Sequence, residues 1–459
     1  MSRRRLSLLQ AVSVNTSMMV GIGPFITIPA FVATLGGPHA MIGWGLGAVL
    51  AFADGMVWSE LASAFPGSGG TFHFYDAAYR GSRFGRLLKF LFVWQFLFSA
   101  PLEVASGAIG LSRYAGYLWS PLKQTAWRWS TDWPVLGPID WRITYGQLFA
   151  VAVMAAVTGL AYRRIEAAGK VMLVFWAGML ATVAWVIAVG LTHFQPALAF
   201  DVPPGAWTLD AKFATGLGAA LGIAMYDFLG YYQICYLGDE VDDPSRTLPR
   251  SILISVGLVA LIYLSMNVSI LGVLPWREVV ASEHVASDLM VMVQGPAAAK
   301  VVTVLVVWTA LASVFAALLG YSRVPYAAAR SGHFFKGLGT PHPKGDFPHR
   351  SLLLLGGLSM AACLADLTTV IEALLTSRIV IQFIGQILTV FYLHGDPKRS
   401  ALLKFRMALF PAPAVVALAG WLYVFGSTGA RTLLYGLGSF ALGLLAFAVW
   451  DSARPRGTA

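Results

Sequence analysis

Cysteine is almost missing from this chain. Of 459 residues only Cys235 and Cys363 are cysteines, and both fall in or beside apolar segments, so no disulfide framework organises it. Charge is scarce too: Asp, Glu, Lys and Arg make up 12% of residues against 57% hydrophobic, and mean hydropathy is +0.69. That leaves too little polar surface to cover a water-soluble domain. The 8 histidines lie mostly in loops, with no H-E-x-x-H and no Cys/His cluster, which argues against a metal site or an intramembrane hydrolase. Nucleotide-type glycine loops are missing as well. "GLGAALG" (Gly216 to Gly222) and "GWGLG" (Gly43 to Gly47) follow no strand, and "PGSGG" (Pro66 to Gly70) has no Lys-Ser/Thr after it. Small residues at four-residue spacing inside apolar helices read as packing contacts. With no catalytic cluster and no soluble output domain, the chain is not expected to be an enzyme or to hold a cofactor.

What the chain has is apolar length. About twelve runs of roughly twenty residues recur from end to end, each enough to cross a bilayer core. They centre on Gly23, Leu50, Glu103, Ala152, Leu180, Ala224, Val259, Ala312, Leu358, Phe383, Leu418 and Gly443. The fold expected is an all-α polytopic membrane protein. The first run is too long for a signal h-region and lacks a cleavage site followed by a polar mature domain, so it is expected to stay as a span. Most of the 32 Lys and Arg residues fall in alternate connections: Arg3 to Arg5, Arg80 to Lys89, Arg163 to Lys170, Arg246 and Arg250, Arg323 to Arg350, Lys398 to Arg406, and Arg454 with Arg456. The opposite connections hold only Lys123, Arg128, Arg142, Lys212, Arg277, Lys300 and Arg431. By the positive-inside rule both termini are cytoplasmic and the protein is multi-pass in the cell membrane. The net charge of +10 is then an orientation signal and an attraction to anionic lipid, not a mark of nucleic-acid binding. The expected partners are a lipid bilayer and a small molecule, with no obligate protein partner evident.

Two runs are interrupted in their middles. In "MVGIGPFITIP" (Met19 to Pro29), Gly21, Gly23 and Pro24 break the first. In "LGIAMYDFLGYYQICYLGDE" (Leu221 to Glu240), Asp227 and Gly230 break the sixth. Unwinding a helix in mid-membrane strands backbone N–H and C=O groups, at several kcal/mol per group unless water or a ligand satisfies them. Half-helix N-termini suit a carboxylate and the opposite ends suit a cation, so a zwitterion fits between them. The competing reading is that Gly and Pro merely kink these helices for packing. Five spans separate the breaks, and an odd number reverses the direction of entry, which describes an inverted repeat. The expected division is a first five-helix repeat over 1–195, a second, inverted one over 205–395, and two additional helices with a short tail over 400–459. Breaks at matching positions of such halves point to a secondary transporter's binding site.

Four stretches resemble a known family. "VGIGPFITIP" is similar to the GSGIF-type signature in the first span of amino acid permeases. "SELASAFPGSGGTFHFY" (Ser59 to Tyr75) resembles their E-L-A-x-x-x-P-x-S-G-G-x-x-x-Y. "GDEVDDPSRTLPRSI" (Gly238 to Ile252) resembles their E-V-x-x-P-x-R-T-x-P-R-x-I, and "YSRVPYAAARSGHFF" (Tyr321 to Phe335) their S-R-x-x-x-A-x-x-G. The resemblance is to the amino acid-polyamine-organocation superfamily, near its L-type amino acid and polyamine-uptake branches. It implies the five-plus-five inverted repeat of the LeuT-type fold, with helices 1 and 6 discontinuous and the substrate held between the first, third, sixth and eighth spans. Two features depart from the family. Ile22 replaces a small polar residue between the glycines, and Pro24 removes an N–H. Several relatives also carry a lysine deep in the fifth span, taken there as a fixed substitute for sodium. Here "VMLVFWAGML" has none, and Lys170 lies near the cytoplasmic end.

The reading that follows is a secondary active importer of amino acids working by alternating access, with a polyamine porter and sodium-coupled or exchange-type transport as alternatives. The substrate residues expected are Gly21, Ile22, Gly23, Pro24, Phe25, Tyr226, Asp227, Phe228 and Gly230. An ionised Glu103 in mid-span is expensive, which suits a proton carrier or a partner for a cationic substrate; the alternative is a static ion pair with Arg378. Asp227 could bind a substrate amine or cap the half-helix that follows. Asp54 could pair within the bundle or face a water vestibule. Arg378 and Glu240 are expected at gates, Glu240 forming a cytoplasmic lock with Arg246 to Arg250. A proton gradient is the expected energy source, and sodium, with Ser313 as one hydroxyl ligand, the alternative. The indole-rich loop from Trp119 to Trp141 is expected to be external, at the membrane interface.

Overall fold

The computed structural model describes residues 5–133, 137–162, 168–343 and 347–452. The basic residues Arg3, Arg4, Arg163, Arg164, Lys344, Arg454 and Arg456, and the side chain of Lys170, lie outside what is described. The chain is mostly helical, as apolar segments without water must be, since only a helix satisfies its own backbone in lipid. In chain order the helices are α1 (Leu8–Met19), α2 (Gly23–Leu35), α3 (Met41–Ala64), α4 (Thr71–Ala78), α5 (Arg83–Leu118), α6 (Tyr145–Ala161), α7 (Ala168–Thr192), α8 (Pro196–Ala199) and α9 (Ala211–Phe228). A 3-10 segment, Gln233–Glu240, follows α9. Next come α10 (Pro244–Leu271), α11 (Trp276–Ala281), α12 (Val285–Gln294), α13 (Pro296–Tyr321), α14 (Arg323–Arg330) and α15 (His349–Ala362). A π segment, Ile379–Ile384, joins α16 (Leu367–Arg378) to α17 (Gly385–His394); α18 (Pro397–Ser400), α19 (Ala412–Ser427) and α20 (Ala430–Ser452) complete the chain.

Among the described residues, 7 helical stretches are long and apolar enough to cross a membrane, and the pair α1 and α2, bent by 51° at its break, makes up to 8. Shorter apolar helices, including Tyr145–Ala161, Trp176–Thr192 and Ala412–Ser427, lie at further runs. The protein is therefore a multi-pass membrane protein. The all-α expectation needs one correction. Thr125–Trp133 and Gly137–Thr144 form an antiparallel hairpin, with Trp129 opposite Trp141 and Ser130 opposite Asp140. Its cause is legible afterwards: "TAWRWSTDW" alternates aromatic with polar residues, the period of a strand rather than of a loop.

The two broken runs are tied to each other. Asn15 on α1 accepts the Ile234 N–H at 2.9 Å, and Leu6 pairs with the strand-like segment after the sixth run through Leu6 N–H to Glu240 O at 2.7 Å and Asp242 N–H to Leu6 O at 3.0 Å. On the other side of the breaks, α2 lies against α9. Helix α10 packs on α1 and on Gln233–Glu240, α13 on α1, and α5 on α2. Asp54 on α3, fully buried, accepts from the Tyr231 hydroxyl and from the Trp421 indole at 3.0 Å, so it pairs within the bundle.

Candidate functional site

The first break is a true gap in the helix. Helix α1 ends at Met19, Val20 adopts φ −83°, ψ 64°, and α2 restarts at Gly23. Among the described residues the N–H groups of Ile22 and Gly23 take no backbone partner, and Pro24 has none to offer. One turn on, Pro29 deprives the Phe25 carbonyl of its usual donor, and the Tyr114 hydroxyl replaces it at 3.0 Å. The second break begins where α9 stops at Phe228; Gly230 then takes φ +114°, a conformation that favours glycine. The breaks touch. A Cβ on Gly23 would lie 2.3 Å from Asp227 Oδ1, and one on Gly230 would lie 2.6 Å from Met18 Cγ.

Between them lies a recess of about 480 Å³, counting its open mouth, lined by both breaks and by α5 and α13. Asp227 is 2% exposed, and its Oδ2 accepts from the Thr27 hydroxyl at 2.6 Å. Its Oδ1 has no partner among the described residues, and Asp227 is one of the residues that line the recess. An unpartnered buried carboxylate oxygen is costly, and a cationic ligand would relieve that cost. Across the recess, the Tyr226 hydroxyl meets Ser106 Oγ at 2.7 Å. Glu103 sits one turn earlier on the same face of α5. Its Oε2 lies 2.6 Å from Arg378 Nη2, an ion pair rather than an aligned hydrogen bond. Arg378 is itself buried: its Nε donates to Ser99 Oγ at 3.1 Å, its Nη1 to the Tyr232 hydroxyl at 3.2 Å, and the guanidinium lies 5.8 Å from the ring centres of Phe96 and Tyr321.

A family model described as "Amino acid permease" matches residues 6–428. The chain belongs to the amino acid permease family. Its relatives bear this out. An uncharacterized transporter of Mycobacterium tuberculosis is 28% identical over 80% of this chain and 75% of its own length. The serine/threonine exchanger SteT of Bacillus subtilis is 25% identical over 99% of this chain and 98% of its own. The L-methionine/branched-chain amino acid exporter YjeH of Escherichia coli is 24% identical over 81% and 79%. The permease is thus a transporter rather than an enzyme, and it carries amino acids across a membrane.

The permease places the expected residues unevenly. Gly21, Ile22, Gly23, Tyr226, Asp227 and Glu103 line the recess, and Ser313 joins them, its Oγ 3.3 Å from where a Gly21 Cβ would sit. Pro24, Phe25, Phe228 and Gly230 do not line it. Phe25 packs on Tyr114, and Phe228 on Trp44 and Tyr263, so both serve the walls behind the breaks. Asp227 bonds Thr27 rather than capping the segment that follows, whose first residue receives no side-chain cap. Among the described residues Glu240 makes no ion pair with Arg246 or Arg250. Arg246 pairs with Asp243 at 3.7 Å, and Glu240 is held through its backbone carbonyl instead. Ser106, Gly107, Val104 and Val314 line the recess without having been foreseen. Ser106 was within reach, three residues beyond Glu103 and so on the same helix face.

Proposed function

We propose that this permease imports amino acids across the cell membrane by alternating access, holding the substrate at the two breaks. The observation that carries this reading is the unpartnered Asp227 Oδ1 beside the uncapped start of α2. The substrate ammonium sits on Asp227, and its carboxylate sits on the N–H groups of Ile22 and Gly23, where the half-helix dipole favours a negative charge. Twelve spans, with 1–195 and 205–395 as inverted repeats, 400–459 appended and both termini cytoplasmic, complete the arrangement. Energy comes from a proton gradient. Protonating Glu103 would dissolve its pair with Arg378, and that pair joins α5 to α16, so a proton can loosen a link between helices that flank the site. Sodium beside Ser313 is the alternative coupling ion.

A second reading has its own observation: two carboxylates, Asp227 and Glu103, line the recess, as a polyamine site would require. Uptake into proteoliposomes, screened over the twenty amino acids and several polyamines, tests both. Competition by neutral amino acids and none by their decarboxylated analogues is expected. Better competition by the decarboxylated analogues overturns the amino acid reading in favour of the porter.

A further inference from the structure

Arg378 is a full positive charge within one side chain of the recess, yet it contributes nothing to the lining. Glu103 stands between. Glu103 lines the recess, and its Oε2 lies 2.6 Å from Arg378 Nη2. We infer that Glu103 is a specificity-determining residue: it masks Arg378 and thereby restricts the permease to substrates without an anionic side chain. The inference rests on the substrate site proposed above.

Three features support it. First, Arg378 is held in place by groups other than Glu103: Ser99 Oγ at 3.1 Å, the Tyr232 hydroxyl at 3.2 Å, and the faces of Phe96 and Tyr321. Tyr232 is fixed in turn by stacking on Trp58, with ring centres 4.4 Å apart. The guanidinium therefore keeps its position when Glu103 is shortened. Second, with Glu103 ionised, the charges near the recess sum to minus one. Glu103 and Arg378 cancel, leaving Asp227, which matches one ammonium and leaves nothing for a second carboxylate. A substrate side-chain carboxylate would instead approach Glu103, and like charges in a desolvated site repel strongly. Third, the geometry is suited to exchange. Removing the Glu103 carboxylate frees the place where a substrate carboxylate would meet the planar, donor-rich face of an arginine.

Binding to the purified full-length protein, read by isothermal calorimetry, compares two isosteric pairs: asparagine with aspartate, and glutamine with glutamate. Each pair matches in shape and differs in charge and in the donors of the amide. The wild-type protein is expected to bind the neutral member at least a hundredfold more tightly. In Glu103→Ala, aspartate or glutamate should gain at least tenfold, and the gain should vanish in Glu103→Ala with Arg378→Met. Glu103→Gln keeps the bulk while leaving Arg378 uncompensated, and it tests the same point, with a smaller gain, should the alanine variant fail to fold. Folding is read from the melting transition of each variant. If the wild type binds the members of both pairs equally, the inference is overturned. No anion gain in any folded Glu103 variant, or a gain that survives the loss of Arg378, also overturns it. Failure of the wild type to bind any amino acid would instead sink the substrate site itself.

Discussion

Gly23 and Asp227 meet with no room for a methyl group between them. A Cβ at Gly23 would come within 2.3 Å of Asp227 Oδ1, so Gly23→Ala should abolish substrate binding while the chain still inserts and folds. Undiminished affinity in the folded variant, measured by calorimetry, would remove the first break from the site. Asp227→Asn keeps the shape and removes the charge. A hydrogen bond to a charged group is worth about 1.5–3 kcal/mol, so the loss in affinity should be roughly 10- to 100-fold. An unchanged affinity would place the ammonium elsewhere. Single residues were only partly legible in advance. Gly21, Gly23 and Asp227 stood out because they interrupt apolar helices, and that signal is local. The directions of Phe25 and Phe228 were not legible, because a break resets the helical phase on which face assignments depend. The pairing of Glu103 with Arg378 was one of the two readings the sequence offered, and α5 and α16 bring the two side chains to 2.6 Å.

At the scale of elements, each irregularity has a neighbour that repairs it. Pro29 leaves the Phe25 carbonyl without its helical donor and Tyr114 supplies one, so Tyr114→Phe orphans a fully buried carbonyl. The expected cost is about 1 kcal/mol, seen as a melting temperature a few degrees lower. No change would mean that water satisfies the carbonyl instead. The π segment Ile379–Ile384 is met in the same way, by the Tyr75 hydroxyl donating to Ile381 O. Outside the apolar helices, Glu283 pins the connection between α11 and α12 to the 3-10 turn Ser120–Lys123 after α5, through Lys123 Nζ at 2.6 Å. That hydrogen bond, with the lysine charge, holds the Glu283 carboxyl below its ordinary value of 4.5. A carboxyl lowered in the folded state stabilises above its unfolded value, and that contribution is lost as pH falls through the lowered one. Because Glu283 is more than half exposed, solvent screening limits it to about 0–1 kcal/mol. Melting curves should therefore show the Lys123→Ala penalty at pH 7 and its disappearance well below pH 4. A penalty unchanged by pH would assign it to packing. The helices themselves were legible from apolar length, whereas the hairpin was not, because its tryptophans drew a membrane-interface reading that hid their strand period.

The molecule as a whole is constrained by parity. Whatever the number of spans, the two breaks can form one site only if each half-helix of the first meets its counterpart from the sixth, as α1 meets Gln233–Glu240 and α2 meets α9. An odd number of crossings between them makes that pairing antiparallel in sequence and two-fold in space. The same parity fixes which connections share a side of the membrane. Ser130, in the hairpin after the third run, and Ser331, beyond the eighth, are separated by five runs and should face opposite sides. Charge decides which is which: Arg323, Arg330 and Lys336 cluster around Ser331, so it should be cytoplasmic and the hairpin external. Both serines are exposed, and the native Cys235 and Cys363 are buried, so introduced cysteines report without interference. A membrane-impermeant maleimide applied to intact cells should label Ser130→Cys at once and Ser331→Cys only after permeabilisation. The reverse pattern would invert the orientation and leave the repeat intact. Labelling of both from the same side would mean an even number of crossings between them, and with it the inverted repeat would fall.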